Sequence, residues 1–287
     1  MKDTIIIGKG PAGISAAVYL KRAGLDVTVI GMGYGALEKA EKIENYYGFE
    51  QAVSGKELVE RGIRQAEGLG IEVLEAEVTG IAKEAEFALK TTQGDLEART
   101  VLLATGKSRV YVNIPGFEAL RGKGISFCAV CDGFFYRGRR LAVIGSGEYA
   151  AAELGELLHF TKDITLFTNG QPLSVGVLPE GVTVVTDKIT KITGQDRVEG
   201  IETAGNSYPV DGIFVAIGTA SAADFAAKLG VLTNGSDIVV DGDFMTNVEG
   251  LYAAGDATGG FLQVAKAVSD GAHASKAIIK RVKAAKA

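Results

Sequence analysis

The stretch Thr4-Ile5-Ile6-Ile7-Gly8-Lys9-Gly10-Pro11-Ala12-Gly13 decides the fold. It recurs, altered, at Leu141-Ala142-Val143-Ile144-Gly145-Ser146-Gly147-Glu148-Tyr149-Ala150. Each copy begins with a short, largely apolar run, the mark of a parallel strand buried on both faces. Each passes through a glycine turn into a helical run, ISAAVYLKRAG or AAELGELLHF. Each then enters a second strand, Asp26-Val27-Thr28-Val29-Ile30 or Asp163-Ile164-Thr165-Leu166-Phe167. This is the grammar of a nucleotide-binding βαβ unit. Its glycines let the backbone approach a pyrophosphate, whose charge rests on the helix N-terminus. One G-x-G-x-x-G alone is a weak signal, but strand–turn–helix context and a second copy make it strong.

The expected fold class is α/β, with two Rossmann-like (βαβ) nucleotide-binding domains, the second inserted into the first. A chain of 287 residues suits about two domains. Its 39 glycines against five prolines fit many tight βα turns. Thr100-Val101-Leu102-Leu103-Ala104-Thr105-Gly106 reads as a buried strand with a closing turn. Gly250-Leu251-Tyr252-Ala253-Ala254-Gly255-Asp256 reads as a short strand, with a helix from about Gln263. Both belong with the first unit, so crossovers are expected near Ile114-Pro115-Gly116 and Asp241-Gly242-Asp243. A net charge of −5 argues against nucleic acid and against a polybasic membrane patch. No apolar run approaches the roughly 20 residues of a membrane span. The opening MKDTIII breaks on glycine as a strand would, so a cytoplasmic protein is expected.

Six segments occur in a telling order: GKGPAG, Glu44-Asn45-Tyr46-Tyr47-Gly48, Ala104-Thr105-Gly106, CAVCDGFFYRG from Cys128, GSGEYA and GLYAAGDA. In these the chain resembles the low-molecular-weight bacterial thioredoxin reductases over essentially its whole length, CAVCDGFF being the most specific part. The resemblance implies an FAD-binding domain over 1–114 and 245–287, and an inserted pyridine-nucleotide-type domain over 115–244 that carries the CxxC. It also implies a homodimer in which electrons pass from flavin to a disulfide and then to thioredoxin.

Cys128 and Cys131 are the only cysteines. A zinc site needs about four ligands, and neither His159 nor His273 lies at finger spacing, so no metal is expected. A structural bridge over so short a loop would stabilise little and would be reduced in the cytosol. A redox-active dithiol is the stronger reading, because neighbouring thiols exchange a disulfide without large backbone movement. By resemblance, Cys131 meets the flavin, Cys128 is its partner, and Asp132 is the acid that supplies a proton. The alternative for Asp132, on turn chemistry alone, is a turn residue before Gly133.

The resemblance likewise implies FAD contacts at Gly8, Gly10, Pro11, Ala12 and Gly13, at Gly35 and Leu37, and at Val78. Further implied contacts are Ala104, Thr105, Gly106, Gly255 and Asp256, the last on the ribityl chain. Asn45 matches a position on the isoalloxazine side, with an ordinary loop asparagine as the alternative. Gln263, Val264 and Ala265 stand where the family has Arg-Gln-Ala, at a helix start whose amides favour reduced flavin. The second strand ends Ile30-Gly31-Met32, without the acid that usually holds an adenosine ribose.

The second unit departs further. NADPH-dependent relatives follow its second strand with arginines that clamp the 2′-phosphate. Here the stretch is Thr168-Asn169-Gly170-Gln171-Pro172-Leu173-Ser174, with no basic residue. Glu148 and Tyr149 stand where the turn should receive pyrophosphate. This pattern is similar to the ferredoxin-dependent flavin thioredoxin reductases, in which ferredoxin supplies electrons singly. Lys123, Arg137, Arg139 and Arg140 are candidates for a basic dock, a solvated charged face being the alternative. Other readings are an NADPH-dependent reductase with unusual readers, a diflavin-linked oxidoreductase or dithiol oxidase, and a flavin redox sensor.

Overall fold

A computed structural model describes residues 1–107 and 112–286. The chain packs as two units, Met1–Ser108 with Ser221–Ala287, and Arg109–Ala220. The first opens with β1 (Lys2–Ile7), α1 (Pro11–Arg22) and β2 (Val27–Ile30). Pro11 suits the first helical position, where its missing N–H would have had no partner. Then come α2 (Gly55–Gly68), β3 (Glu72–Leu74), β4 (Val78–Lys83), β5 (Phe87–Thr91) and β6 (Leu96–Leu103). Ser54 starts α2 by accepting the amide of Glu57. Strands β3, β2, β1 and β6 lie parallel in that order, and β5 and β4 extend the sheet antiparallel. Ile5, Ile6, Leu102 and Leu103 are fully buried, each contributing about 1.5–3 kcal/mol.

The second unit contains α3 (Phe117–Leu120), β7 (Ile125–Ser126), α4 (Ala129–Asp132), β8 (Leu141–Ile144), α5 (Glu148–Leu157), β9 (Ile164–Phe167) and β10 (Thr183–Val185). The antiparallel strands β11 (Ile189–Thr193), β12 (Gly200–Thr203) and β13 (Ser207–Pro209) follow, then β14 (Gly212–Val215). Its sheet is wholly parallel, in the order β10-β9-β8-β14-β7. Pairing with β14 sets β7 at the sheet edge, and the CxxC segment leaves directly from it.

The chain returns to the first unit through α6 (Ala222–Lys228), the hairpin β15 (Thr233–Asn234) and β16 (Asp237–Ile238), β17 (Leu251–Ala253) and α7 (Val264–Lys286). Strand β17 pairs with β6 in parallel, Leu251 opposite Val101. Helix α7 lies against α1 at Gly271, where a Cβ would come within 2.1 Å of the Ala12 carbonyl oxygen. Only glycine permits that approach. Residues 221–244, read from sequence with the insert, pack in the first unit. The Ala222 amide donates to Thr105 Oγ1 at 2.7 Å, and Lys107 pairs with Asp237 at 2.7 Å. Asp241-Gly242-Asp243 is a turn inside this unit, the Asp241 carboxylate accepting the amides of Asp243 and Met245. Turn chemistry marks a bend there, and a bend alone does not mark a crossover.

Candidate active site

At the first glycine turn, Gly8 has φ +118°, and a Cβ on it would lie 2.2 Å from the Ala104 carbonyl oxygen. A Cβ on Gly13 would meet the Gly8 carbonyl oxygen at 1.9 Å. These two glycines pack the turn against the closing Ala104-Thr105-Gly106 segment, where Ala104 donates its amide to Ile7. Gly10 differs: a Cβ there meets nothing within 4 Å. Gly10 is also the N-cap of α1 and makes no side-chain cap, and the first turn of α1, which includes Pro11 and Ala12, holds no acid. The turn is therefore an open cradle of backbone amides suited to a pyrophosphate. A cavity of about 800 Å³ borders it, lined among others by Gly10, Pro11, Tyr46, Gly48 and Val264.

A carboxylate does reach this turn, from just past the end of β3. Glu75 accepts the Gly33 amide at 2.9 Å and pairs with Lys9 inside the glycine turn. Burial pushes the Lys9 ammonium below its ordinary range. A search confined to the end of β2 misses this carboxylate, which lies 42 residues from Gly33. Gly35, at φ +57°, opens a 3₁₀ turn carrying Leu37, whose carbonyl packs on Gly55. Val78 is buried in β4, and Gly106 turns at φ +70°. Thr105 spends its hydroxyl on the start of α6.

Asn45 and Gln263 come together, the Asn45 amide donating to Gln263 Oε1 at 2.9 Å. Val264 begins α7, and Ala265 is exposed in its first turn. Half-buried Asp256 sits in the 3₁₀ turn Gly255–Thr258. Two residues with no motif brace that turn. Lys266 Nζ donates to the Gly255 and Gly259 carbonyls, each at 2.7 Å, and to Thr258 Oγ1 at 2.9 Å. Asp270 accepts the Gly255 amide at 3.1 Å and pairs with Lys266 at 2.8 Å. Their one sequence signal is opposite charge at i,i+4 on a helix, which is common on any surface.

In the second unit Cys128 and Cys131 form a disulfide, their Cα atoms 5.3 Å apart. Cys128 caps α4, its sulfur accepting the Cys131 amide at 3.2 Å. Asp132 closes α4 and accepts the Ser126 hydroxyl at 2.6 Å. Ser126, 6% exposed, in turn accepts the Cys128 amide at 3.1 Å. One buried hydroxyl thus ties the acid to the backbone of the disulfide, a role that the sequence did not single out. Tyr136 faces the same carboxylate: burial, then the Asp132 charge, pushes its phenol above the ordinary value. Val130, Phe134 and Phe135 are exposed around the disulfide, and Arg137 stacks over Phe134. Arg140 is not a free cation, since Asp211 holds it by two side-chain bonds of 3.0 and 3.2 Å. Among the described residues, no group of three or more His, Cys, Asp or Glu could hold a metal.

The second glycine turn is covered by its own chain. Ser174 donates its amide to the Ser146 carbonyl at 2.7 Å and its hydroxyl to the same oxygen at 3.1 Å. The Gly176 amide donates to Glu148 Oε1 at 2.6 Å. Glu148 therefore adds a negative charge to the first turn of α5 and ties the segment after Thr168–Ser174 down over it. Tyr149 does not face the turn as the sequence suggested; only 2% exposed, it fills the core beneath α5.

The chain is similar to known proteins along almost all of its length. The family described as "Pyridine nucleotide-disulphide oxidoreductase" matches residues 2–271. The thioredoxin reductase of Listeria monocytogenes is 30% identical, over 96% of this chain and 92% of that protein. The atypical thioredoxin reductase from Desulfovibrio vulgaris Hildenborough superposes with a TM-score of 0.91 at 40% identity, covering 99% of both chains. A ferredoxin-flavin thioredoxin reductase from Clostridium acetobutylicum superposes at 0.74 with 29% identity, over 99% and 98%. Carrying an open pyrophosphate cradle and a Cys128–Cys131 disulfide, the chain belongs to the pyridine nucleotide-disulphide oxidoreductases, as an FAD-binding disulfide oxidoreductase of the thioredoxin reductase type.

Proposed function

We propose that this protein reduces thioredoxin through Cys128 and Cys131 with electrons from reduced ferredoxin, in place of NADPH. The observation that carries the donor is the covered glycine turn, where Glu148, Gly176 and Ser174 occupy the approach that a dinucleotide pyrophosphate would need. The absence of any basic residue in Thr168–Ser174 supports it, because the 2′-phosphate would find no partner. The Clostridium structural neighbour is named for such a donor.

FAD suits this role because, when bound, it takes electrons one at a time and delivers them as a pair. In this reading the first unit is the flavin domain and the second an adapted pyridine-nucleotide-type domain. The amides around Gly10 hold the pyrophosphate, and Asp256, braced by Lys266 and Asp270, holds the ribityl chain. Asn45 and Gln263 border the isoalloxazine. Two electrons and two protons convert the Cys128–Cys131 disulfide to two thiols, with Asp132, held by Ser126, supplying a proton to a departing sulfur. One thiolate then attacks the thioredoxin disulfide. The mixed disulfide is released when the second thiol attacks in turn, which returns Cys128–Cys131 to the oxidised form. The working protein is a homodimer in the cytoplasm.

The test is anaerobic mixing of the FAD-loaded protein with NADPH, NADH or reduced ferredoxin while flavin absorbance is followed. Ferredoxin is expected to bleach the flavin and support thioredoxin reduction. Rapid bleaching by NADPH overturns the donor and leaves the disulfide chemistry standing. That second reading, an NADPH-dependent reductase, is favoured by the retained βαβ fold of the second unit and by the sequence likeness to the thioredoxin reductases of Listeria monocytogenes and Bacillus subtilis.

A further inference from the structure

Glu153 is a buried acid that none of the roles above uses. It lies on α5, 1% exposed, among Tyr149, Ala150, Leu154 and Leu157 on the face turned to the core. Its Oε2 accepts the backbone amide of Ala129 at 2.8 Å. Ala129, itself fully buried, follows Cys128 directly and is the first residue of α4. The carboxylate therefore contacts the backbone between the two cysteines, from beneath and out of water. Placing an ionisable side chain there is costly unless it serves a partner, and an apolar residue would pack the same space at less cost.

A negative charge held in a low-dielectric interior disfavours a second negative charge close by. The second charge here is the thiolate that appears when the disulfide is opened. Couples whose thiolate is strongly stabilised become oxidants, because the reduced form is the favoured one. A CxxC segment that donates to thioredoxin needs the opposite bias, since thioredoxin lies at about −270 mV. Two acids are bonded to the disulfide segment, Glu153 of α5 through the Ala129 amide and Asp132 of α4 through the Ser126 hydroxyl.

We infer that Glu153 is a positioning residue that holds the Cys128–Cys131 couple reducing, by fixing the Ala129 amide and by opposing a thiolate at the cysteines. The inference rests on the thioredoxin-reducing reading of the site, but its test uses neither thioredoxin nor ferredoxin nor a nicotinamide nucleotide. The intact FAD-loaded protein is equilibrated with glutathione or dithiothreitol buffers of graded potential. Free thiols are then trapped and counted by mass. Glu153→Gln keeps an oxygen to accept the Ala129 amide and removes the charge. It is expected to raise the dithiol-to-disulfide ratio about tenfold at a given buffer potential, a shift of about 30 mV for this two-electron couple. A Glu153→Gln protein with unchanged potential overturns the inference, because a purely structural residue would leave the couple where it was.

If Glu153→Gln does not fold, the unsubstituted protein decides the matter. Infrared difference spectra between its disulfide and dithiol forms are expected to carry a glutamate carboxylate band that moves on ¹³C-glutamate labelling. Spectra without such a band overturn the inference. Failure of the unsubstituted protein to turn over thioredoxin, with the Glu153→Gln shift in potential present, would instead count against the thioredoxin reading of the site alone.

Discussion

The two glycine turns share one fold and differ in what lies over them. At Gly10 the first turn of α1 has no acid, no side-chain cap, and open space where a Cβ would point. At Gly147 the first turn of α5 carries Glu148, and Ser174 and Gly176 are bonded across it. The βαβ frame survives in both because it is held by apolar strands that do not depend on a ligand. What a turn binds is decided by a handful of residues at its mouth, and those can change without touching the frame. In the second unit the glycine turn is covered by its own chain, and the same unit carries the disulfide.

The comparison is sharpened most by attacking what the second unit keeps. Asp132→Asn is expected to slow opening of the disulfide by flavin about 10²–10⁴-fold, as loss of a general acid does. Stopped-flow reduction of the disulfide measures it, and a rate near that of the unaltered protein would remove Asp132 from the mechanism. Next comes the pair Gly10→Val and Gly147→Val. The first is expected to weaken FAD binding by about a hundredfold, near 2.7 kcal/mol, with the apoprotein's Tm unchanged. The second is expected to leave FAD affinity alone, because its turn is already covered. Fluorescence titration of apoprotein with FAD compares them, and equal losses would break the distinction between the turns.

Gly13→Ala tests the frame itself. Its Cβ would sit 1.9 Å from the Gly8 carbonyl oxygen, so the turn must move, at a cost of about 1–3 kcal/mol. Denaturant unfolding of apoprotein is the measurement, and a loss below about 0.5 kcal/mol would show that the turn is soft.

A smaller effect is expected in acid. Burial raises the Asp3 carboxyl, but a bond from Lys286, the Asp26 amide, and the charges of Lys286 and Arg99 together hold it below its ordinary value. A depressed carboxyl stabilises the fold above its unfolded pKa, and that contribution is lost as pH falls through the folded value. Asp3→Asn should therefore flatten the decline of Tm below about pH 4, and an equally steep decline would exclude Asp3 as a source. The smallest effect is that of Glu148→Gln. It weakens one exposed bond to Gly176 and should cost less than about 1 kcal/mol, without creating any NADPH response.

Much of the frame was legible in the sequence, because buried parallel strands and glycine turns are written in short, local patterns. Strand β8 falls at Leu141–Ile144, where the apolar run lies. The cysteine pair was legible for the same reason, being contiguous, whereas Asp132 was named only through the family resemblance. What was not legible depends on residues far apart in the chain. Glu75 reaches Lys9 across 66 positions, and Ser126 gains its meaning only when α4 folds Asp132 back onto it. Tyr149 was read as facing the turn, yet one helical step turned it into the core. The membership of 221–244 was hidden because a capping box and a two-strand hairpin look alike in either unit.

The fit of Gly271 against Ala12 bears on how the protein is made. Helix α1 leaves the ribosome long before its packing partner α7. Strand β6 likewise waits for β17, and Asp3 for Lys286. At about 5–20 residues per second, the first unit spends some ten seconds or more without its closing half. The second unit, contiguous in the chain, is under no such delay. A ribosome-bound chain arrested once residue 220 has cleared the exit tunnel is therefore expected to protect the disulfide unit from protease while the flavin half is still digested. Folding is thus expected to start with the disulfide unit and to finish with the flavin unit.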